Sequence, residues 1–95
     1  MSRSQPLERR RVIFEGHVQG VGFRFTTQRV AARHRVTGNV TNLPTGDVEL
    51  VCEGEADELQ RFLADVQQAM SGYITETRQE VSRYTGEFDD FAIRP

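Results

Sequence analysis

The sequence of 95 residues contains no lysine and no tryptophan, and it has only one cysteine and two histidines. The single cysteine, Cys52, excludes an internal disulfide framework, and together with His17 and His34 it forms no metal-ligand spacing. No apolar run approaches the roughly 20 residues that a membrane helix needs. The N-terminal stretch MSRSQPLERRR lacks the apolar segment of a secretory signal. These absences predict a cytoplasmic protein that holds no metal and binds no membrane.

The charges that are present are distributed unevenly. Residues 1–35 hold eight arginines against two acidic residues, a sum of +6, whereas residues 36–95 hold four arginines against twelve acidic residues, a sum of -8. Such a basic half attracts anions. Charge alone does not distinguish a small phosphate ligand from a nucleic acid.

Hydrophobic periodicity predicts two helices interleaved with strands. Alternation predicts strands over Arg11–Val18, Val36–Leu43 and Asp47–Glu53, and apolar stripes predict helices from Phe23 to about Arg35 and from Glu55 to about Met70. A last β region, from Tyr73 to Ile93, is interrupted near Thr85–Gly86.

The order βαββαβ predicts an α+β fold, a ferredoxin-like sandwich with both helices on one face of an antiparallel sheet. We expect a flexible segment over residues 1–8 and one domain over residues 9–95. A right-handed crossover makes the first and second strands run the same way, with the third strand between them. The loop Gln19–Gly22 and the side chain of Asn42 should therefore meet at one edge of the sheet.

The stretch that leads into the first helix combines three glycines with one arginine, Arg24, in the sequence GHVQGVGFRF. Unpaired amides at a helix N-terminus bind anions, glycines let those amides converge, and a guanidinium matches two phosphate oxygens. Glycine-rich turns of this kind also commonly bind nothing. The spacing fits neither the P-loop pattern nor G-x-G-x-x-G, so the residues alone leave both interpretations open.

Two motifs closely resemble the acylphosphatase family. GHVQGVGFR resembles its G-x-V-Q-G-V-x-[FY]-R loop, and GNVTNLPTGDVELVCEG resembles its second motif, G-x-V-x-N followed by a turn, a glycine and a strand. The ending FAIRP is similar to the family's F-x-I-[RK]-Y. The resemblance spans residues 11–95, with departures at Asn39, where the family often has tryptophan, and at Pro95, which replaces a tyrosine.

The resemblance implies an enzyme that hydrolyses acyl phosphates without metal or cofactor. Arg24 would hold the phosphoryl group, and Asn42 would position the attacking water. The backbone amides of the loop would wrap the phosphate oxygens; these belong to Gln19, Gly20, Val21, Gly22 and Phe23. The implied partner is a small-molecule acyl phosphate, and the small size favours a monomer.

Other interpretations are less well supported by the residues. An RNA-binding RRM module shares the βαββαβ order, but the third strand, GDVELVCEG, is acidic and has no aromatic residue. A catalytically silent domain would not need both Arg24 and Asn42. A module of a larger carbamoyl-transfer protein would be followed by a partner domain, so we expect a free-standing enzyme.

Three further residues are expected outside the catalytic machinery. We expect a buried structural Cys52, a surface or rim position for His17, and a structural His34 on the apolar face of the first helix.

Overall fold

The computed structural model describes residues 6–95. It contains two helices and five strands in the predicted order, with the last β region divided in two. Their bounds are β1 (Leu7–Gly16), α1 (Phe23–Ala31), β2 (Thr37–Asn42), β3 (Val48–Glu55), α2 (Ala56–Ala69), β4 (Ile74–Arg83) and β5 (Phe91–Arg94).

Strand β1 begins four residues before the predicted start at Arg11. Of the predicted flexible segment 1–8, residues 1–5 lie outside the described residues. Leu7 and Glu8 lie in the sheet, because they pair with Glu55 and Gly54 of β3. Hydrophobic periodicity could not predict this part of β1, because the stretch is polar in composition. Its first residues are held by backbone pairing rather than by burial of their side chains.

The sheet has the order β4-β1-β3-β2-β5. As predicted, β3 lies between β1 and β2 and runs antiparallel to both. The β1–β4 pair is antiparallel as well, whereas β5 runs parallel to β2, so the sheet is mixed at this one edge. The carboxyl ends of β1, β2 and β5 therefore lie at the same end of the sheet.

The core lies between the helices and one face of the sheet, as the apolar stripes predict. Val12, Phe14, Leu50 and Cys52 face it from the sheet, and Phe62 faces it from α2. Cys52 is fully buried, as expected, and burial raises the pKa of its thiol to about 12. A thiol with so high a pKa is protonated at neutral pH, which fits a packing role.

Helix α1 ends at Ala31, four residues before the predicted end at Arg35. The amides of Arg33 and His34 donate to the carbonyls three residues earlier, so the chain tightens into a turn. His34 therefore lies beyond the helix rather than on its apolar face. Its ring makes hydrogen bonds to Glu58 at 2.9 Å and to Asp65 at 2.8 Å, and this links the end of α1 to α2.

One buried carboxylate holds the connection that brings the chain across to β5. Glu53 is 1 % exposed, and its carboxylate accepts hydrogen bonds from the amide of Thr85 at 2.9 Å, the Thr85 hydroxyl at 2.7 Å and the amide of Gly86 at 3.0 Å. Arg9 pairs with the same carboxylate at 3.3 Å. These contacts hold the start of the segment that leads from β4, on one edge of the sheet, to β5 on the other.

Candidate active site

A cleft of about 180 Å³ opens at the end of the sheet where β1, β2 and β5 finish. It brings together the glycine-rich loop, the first turn of α1, the end of β2 and the end of β5. The predicted proximity of the loop and Asn42 is confirmed by this shared cleft. Its lining consists of Val18, Gly20, Gly22, Phe23, Arg24, Phe25, Asn42 and Ile93.

Two buried side chains hold the ends of the loop. Val18 is 1 % exposed, and Phe23 is 2 % exposed and packs its ring 5.0 Å from the ring of Phe14. Between these anchors the backbone turns sharply, with positive φ at Gly20 (77°) and at Gly22 (78°). Residues with a Cβ rarely adopt this conformation. The two glycines therefore allow the loop to turn from β1 directly into α1.

The amides of the loop and of the first turn of α1 are available to a ligand. Gly22 is the N-cap residue, no side chain caps the helix, and the first turn contains no acidic residue. Within residues 6–95, no hydrogen bond uses the amide of Gly20, Gly22 or Phe23. Uncapped amides give a helix N-terminus its partial positive charge, so this end of the cleft favours an anion.

Arg24 and Asn42 are the two polar side chains of the cleft lining. Arg24 lies in the first turn of α1, and its Nη1 donates a hydrogen bond of 2.8 Å to the carbonyl oxygen of Arg94 in β5. Asn42 is the last residue of β2, is half-buried and pairs with Val48 of β3. The cation is thus supported by the edge strand β5, and the amide side chain belongs to the end of the neighbouring inner strand β2.

Gln19 and Val21 contribute differently from the other loop residues, because neither lines the cleft. The Gln19 side chain donates from Nε2 to the carbonyls of Leu43, at 2.8 Å, and Asp47, at 2.9 Å. Val21 packs against the core. The Gln19 side chain thus fastens the loop to the β2–β3 turn. The sequence did not predict these two hydrogen bonds, because both acceptors are backbone atoms more than twenty residues away.

The sequence also did not predict three apolar side chains of the lining: Val18, Phe25 and Ile93. Phe25 could have been found, because it is the one large apolar residue of α1 that falls off the buried stripe. Ile93 could not, because its place depends on the pairing of β5 with β2. The hydrogen bond from Arg24 to the backbone carbonyl of Arg94 could not be predicted for the same reason.

The remaining candidates lie outside the cleft lining. His17 is exposed, and its amide donates to the carbonyl of Tyr73 at 2.9 Å, in line with the predicted surface position. Asn39, one departure from the family pattern, is half-buried on β2 and does not line the cleft. The carbonyl of Pro95, the other departure, accepts a hydrogen bond of 3.0 Å from the Thr41 hydroxyl.

Two features are absent from the described part of the chain. No group of three or more histidine, cysteine, aspartate or glutamate side chains in residues 6–95 is arranged to hold a metal ion. Neither helix of the described chain is long and apolar enough to cross a membrane.

Comparison with known proteins gives consistent matches along almost the whole chain. The family model described as Acylphosphatase matches residues 10–93. A protein named Acylphosphatase from Syntrophus aciditrophicus (strain SB) is 43 % identical over 88 residues, which is 92 % of each chain. The crystal structure of the acylphosphatase from Bacillus subtilis superimposes with a TM-score of 0.83 at 32 % identity, covering 94 % of this chain and 99 % of that one. The structure of full-length HypF in a phosphate- and nucleotide-bound form matches at 25 % identity with a TM-score of 0.82, covering all of this chain but 13 % of that one.

Proposed function

The chain belongs to the acylphosphatase family and is an acylphosphate hydrolase, and we propose that Arg24, Asn42 and the amides of residues 19–23 perform the reaction. The single observation that carries this proposal is the cleft that Arg24 and Asn42 share with the glycine-rich loop. The cleft is lined by one cation and by a loop rich in N–H donors, and the neutral amide side chain of Asn42 belongs to the same lining.

The phosphoryl group would lie against the loop, where the amides of Gly20, Gly22 and Phe23 can donate to its oxygens. Arg24 would donate from the other side with its planar guanidinium, whose geometry matches two phosphate oxygens. Among residues 6–95, the one hydrogen-bond acceptor of this guanidinium is the carbonyl of Arg94, which binds Nη1, so the other N–H groups can bind the ligand. These donors stabilise charge on the equatorial oxygens as the phosphoryl group is transferred.

Water would attack phosphorus directly, from a position held by the Asn42 side-chain oxygen. The new bond joins the water oxygen to phosphorus, and the bond from phosphorus to the acyl oxygen breaks. The carboxylate leaves with the electron pair, and one water proton ends on the phosphate or in solvent, so the products are a carboxylate and inorganic phosphate. A carboxylate is a good leaving group, so the reaction needs no strong general acid. Positioning and charge stabilisation remain as the tasks of the protein.

We propose that this reaction needs no metal ion, because Arg24 and the loop amides can supply the positive charge that Mg²⁺ supplies in many phosphoryl transfers. The test is phosphate release from acetyl phosphate in excess EDTA, compared with the spontaneous rate. Full activity is expected in EDTA, and activity that returns only with added Mg²⁺ would overturn metal independence.

Isotope labelling tests which bond is cleaved. In water enriched in ¹⁸O, attack at phosphorus puts the label into phosphate, whereas attack at the carbonyl carbon puts it into the carboxylate. We expect the label in phosphate, and label in the carboxylate would overturn the proposed path. The Arg24→Ala variant is the matched control for activity carried by a contaminating hydrolase.

We propose that the enzyme acts as a cytoplasmic monomer on a small molecule. The chain has 95 residues around one hydrophobic core, which favours a monomer, and β3 presents no aromatic side chain on which nucleic-acid bases could stack. A sedimentation experiment across a wide concentration range should give the mass of one chain. Addition of single-stranded RNA should leave the rate of acetyl phosphate hydrolysis unchanged.

A further inference from the structure

The side chain of Phe25 is 70 % exposed although it is one of the largest apolar groups of the protein. Helix α1 buries Phe23, Thr27, Val30 and Ala31. Phe25 lies two residues after Phe23, about 200° around the helix, so the periodicity of α1 holds its ring away from the core. Phe25 nevertheless lines the cleft together with Arg24.

The other apolar walls of the cleft come from different parts of the fold. Ile93 stands on β5, in register with Val40 of β2, and is half-buried beside the core. The next residue, Arg94, provides the carbonyl that holds Arg24. The apolar wall at Ile93 and the cation are therefore adjacent, and Phe25 flanks the same cation along the helix.

A phosphoryl group bound by the loop amides and Arg24 would occupy the polar part of this cleft. The acyl group attached to it must then lie against the remaining walls, which are formed by apolar side chains apart from Asn42. Of these walls, Phe25 has the most surface still accessible to a ligand, because Val18 and Phe23 are almost completely buried. An aromatic ring in this position gains stability by covering another apolar or aromatic group.

We propose that Phe25, together with Ile93, forms an acyl-binding surface that favours acyl phosphates with aromatic or bulky apolar acyl groups over acetyl phosphate. This inference rests on the proposed function, because it takes the phosphoryl group to be bound at the loop and Arg24. Phe25 acts on specificity and has no part in the chemical step.

The test uses two non-hydrolysable ligands, benzoylphosphonate and acetylphosphonate, which differ only in the acyl group. Their dissociation constants are measured by calorimetry for the unsubstituted protein, Phe25→Ala and Phe25→Tyr. Tyr84→Ala is the matched control, because Tyr84 is an aromatic residue that is 42 % exposed and follows β4 at the opposite end and edge of the sheet. The same variants are assayed for hydrolysis of benzoyl and acetyl phosphate.

The unsubstituted protein should bind benzoylphosphonate more tightly, and Phe25→Ala should reduce this preference about tenfold. Phe25→Tyr and Tyr84→Ala should keep it. The ratio of kcat/KM for the two acyl phosphates should change in parallel. An equal preference in Phe25→Ala and the unsubstituted protein, or an equal weakening of both ligands, would overturn the acyl-binding surface.

A measurement on the unsubstituted protein tests the proposal even if the Phe25→Ala variant fails to fold. In the unsubstituted protein, benzoylphosphonate should shift the NMR signals of the Phe25 ring through its ring current, and acetylphosphonate should shift them much less. Equal shifts would overturn the proposal. If the protein binds the phosphonates with the expected preference but hydrolyses neither acyl phosphate, the proposed function fails while the acyl-binding surface stands. If it binds neither phosphonate, both fail.

Discussion

The guanidinium of Arg24 donates a hydrogen bond of 2.8 Å to the backbone carbonyl of Arg94, seventy residues later in the chain. The two residues belong to the first turn of α1 and to the end of β5, which meet at the cleft. The next carbonyl, that of Pro95, accepts from the Thr41 hydroxyl on β2. The end of β5 is thus fastened to the sheet on one side and supports the cation of the cleft on the other.

Replacing Arg24 should therefore remove the main cation of the cleft. We expect Arg24→Ala to lower kcat/KM for acetyl phosphate by about 10²–10³-fold, the range found when a group that stabilises the transition state is removed. Arg24→Lys should recover little of the lost kcat/KM, because an ammonium group lacks the planar arrangement of donors that a guanidinium has. Arg29→Ala is the control on the same helix and should change kcat/KM by less than about twofold. Equal, small effects of both alanine variants would contradict the role of Arg24.

Asn42 should affect turnover more than binding, because it is proposed to hold water rather than phosphate. We expect Asn42→Ala to lower kcat by about 10–10²-fold, with an inhibition constant for inorganic phosphate close to that of the unsubstituted protein. Asn39→Ala is the control, since Asn39 lies three residues earlier on β2 and outside the cleft lining. Retained turnover in Asn42→Ala would remove this residue from the mechanism.

Gln19 should matter through its side chain as a brace of the loop. Gln19→Ala loses both hydrogen bonds to the carbonyls of Leu43 and Asp47, each worth about 1 kcal/mol, so both the melting temperature and phosphate affinity should fall. Gln19→Glu should lower the melting temperature and the phosphate affinity more than Gln19→Ala does at neutral pH, because a carboxylate would face two carbonyl oxygens. Exposed Gln68→Ala serves as the control in thermal melts and phosphate calorimetry. An unchanged phosphate affinity in Gln19→Glu would show that the brace is not required.

Gly22 and Gly72 allow a direct test of the loop backbone. A Cβ at either position would meet no atom within 4 Å, but only Gly22 has a positive φ, of 78°. Gly22→Ala should therefore destabilise the protein by about 1–2 kcal/mol through backbone strain alone and weaken phosphate binding. Gly72→Ala should do neither. Unfolding in urea measures the first effect, and phosphate calorimetry measures the second.

Glu58 should make stability depend on pH. Its hydrogen bonds from the Arg61 side chain, the Arg35 amide and His34 lower its pKa from 4.5 to about 2. A folded-state pKa below the unfolded value means that this stabilisation is complete above about pH 4.5 and is lost as the pH falls towards 2. Glu58→Gln should thus lower the melting temperature by a few degrees near neutral pH, and the difference from the unsubstituted protein should narrow in acid.

The control for this prediction is Glu76→Gln, which changes an exposed carboxylate on the edge strand β4. It should melt close to the unsubstituted protein across the same pH range. A difference in melting temperature between Glu58→Gln and the unsubstituted protein that stays constant from neutral pH to about pH 2 would contradict the predicted dependence of stability on the protonation of Glu58.

The sequence by itself determined the features that depend on neighbours along the chain. The stripe that contains Leu59, Phe62 and Val66 predicts α2, and all three side chains are buried there. Alternating residues predict the strands, and the glycine-rich motif predicts the loop before α1. The crossover through α1 then brings Asn42 to the loop, because strands joined by a crossover run parallel and end at the same end of the sheet.

The tertiary structure alone decided which distant groups complete the cleft. The place of β5 depends on a segment that crosses from one sheet edge to the other, and its start is held by buried Glu53 through contacts 32 and 33 residues away. The acceptors of Arg24 and Gln19 are backbone carbonyls, which every residue type possesses and which therefore leave no mark in the sequence. Periodic burial can be read along a chain, whereas a contact between a side chain and a distant backbone atom exists only once the sheet has assembled.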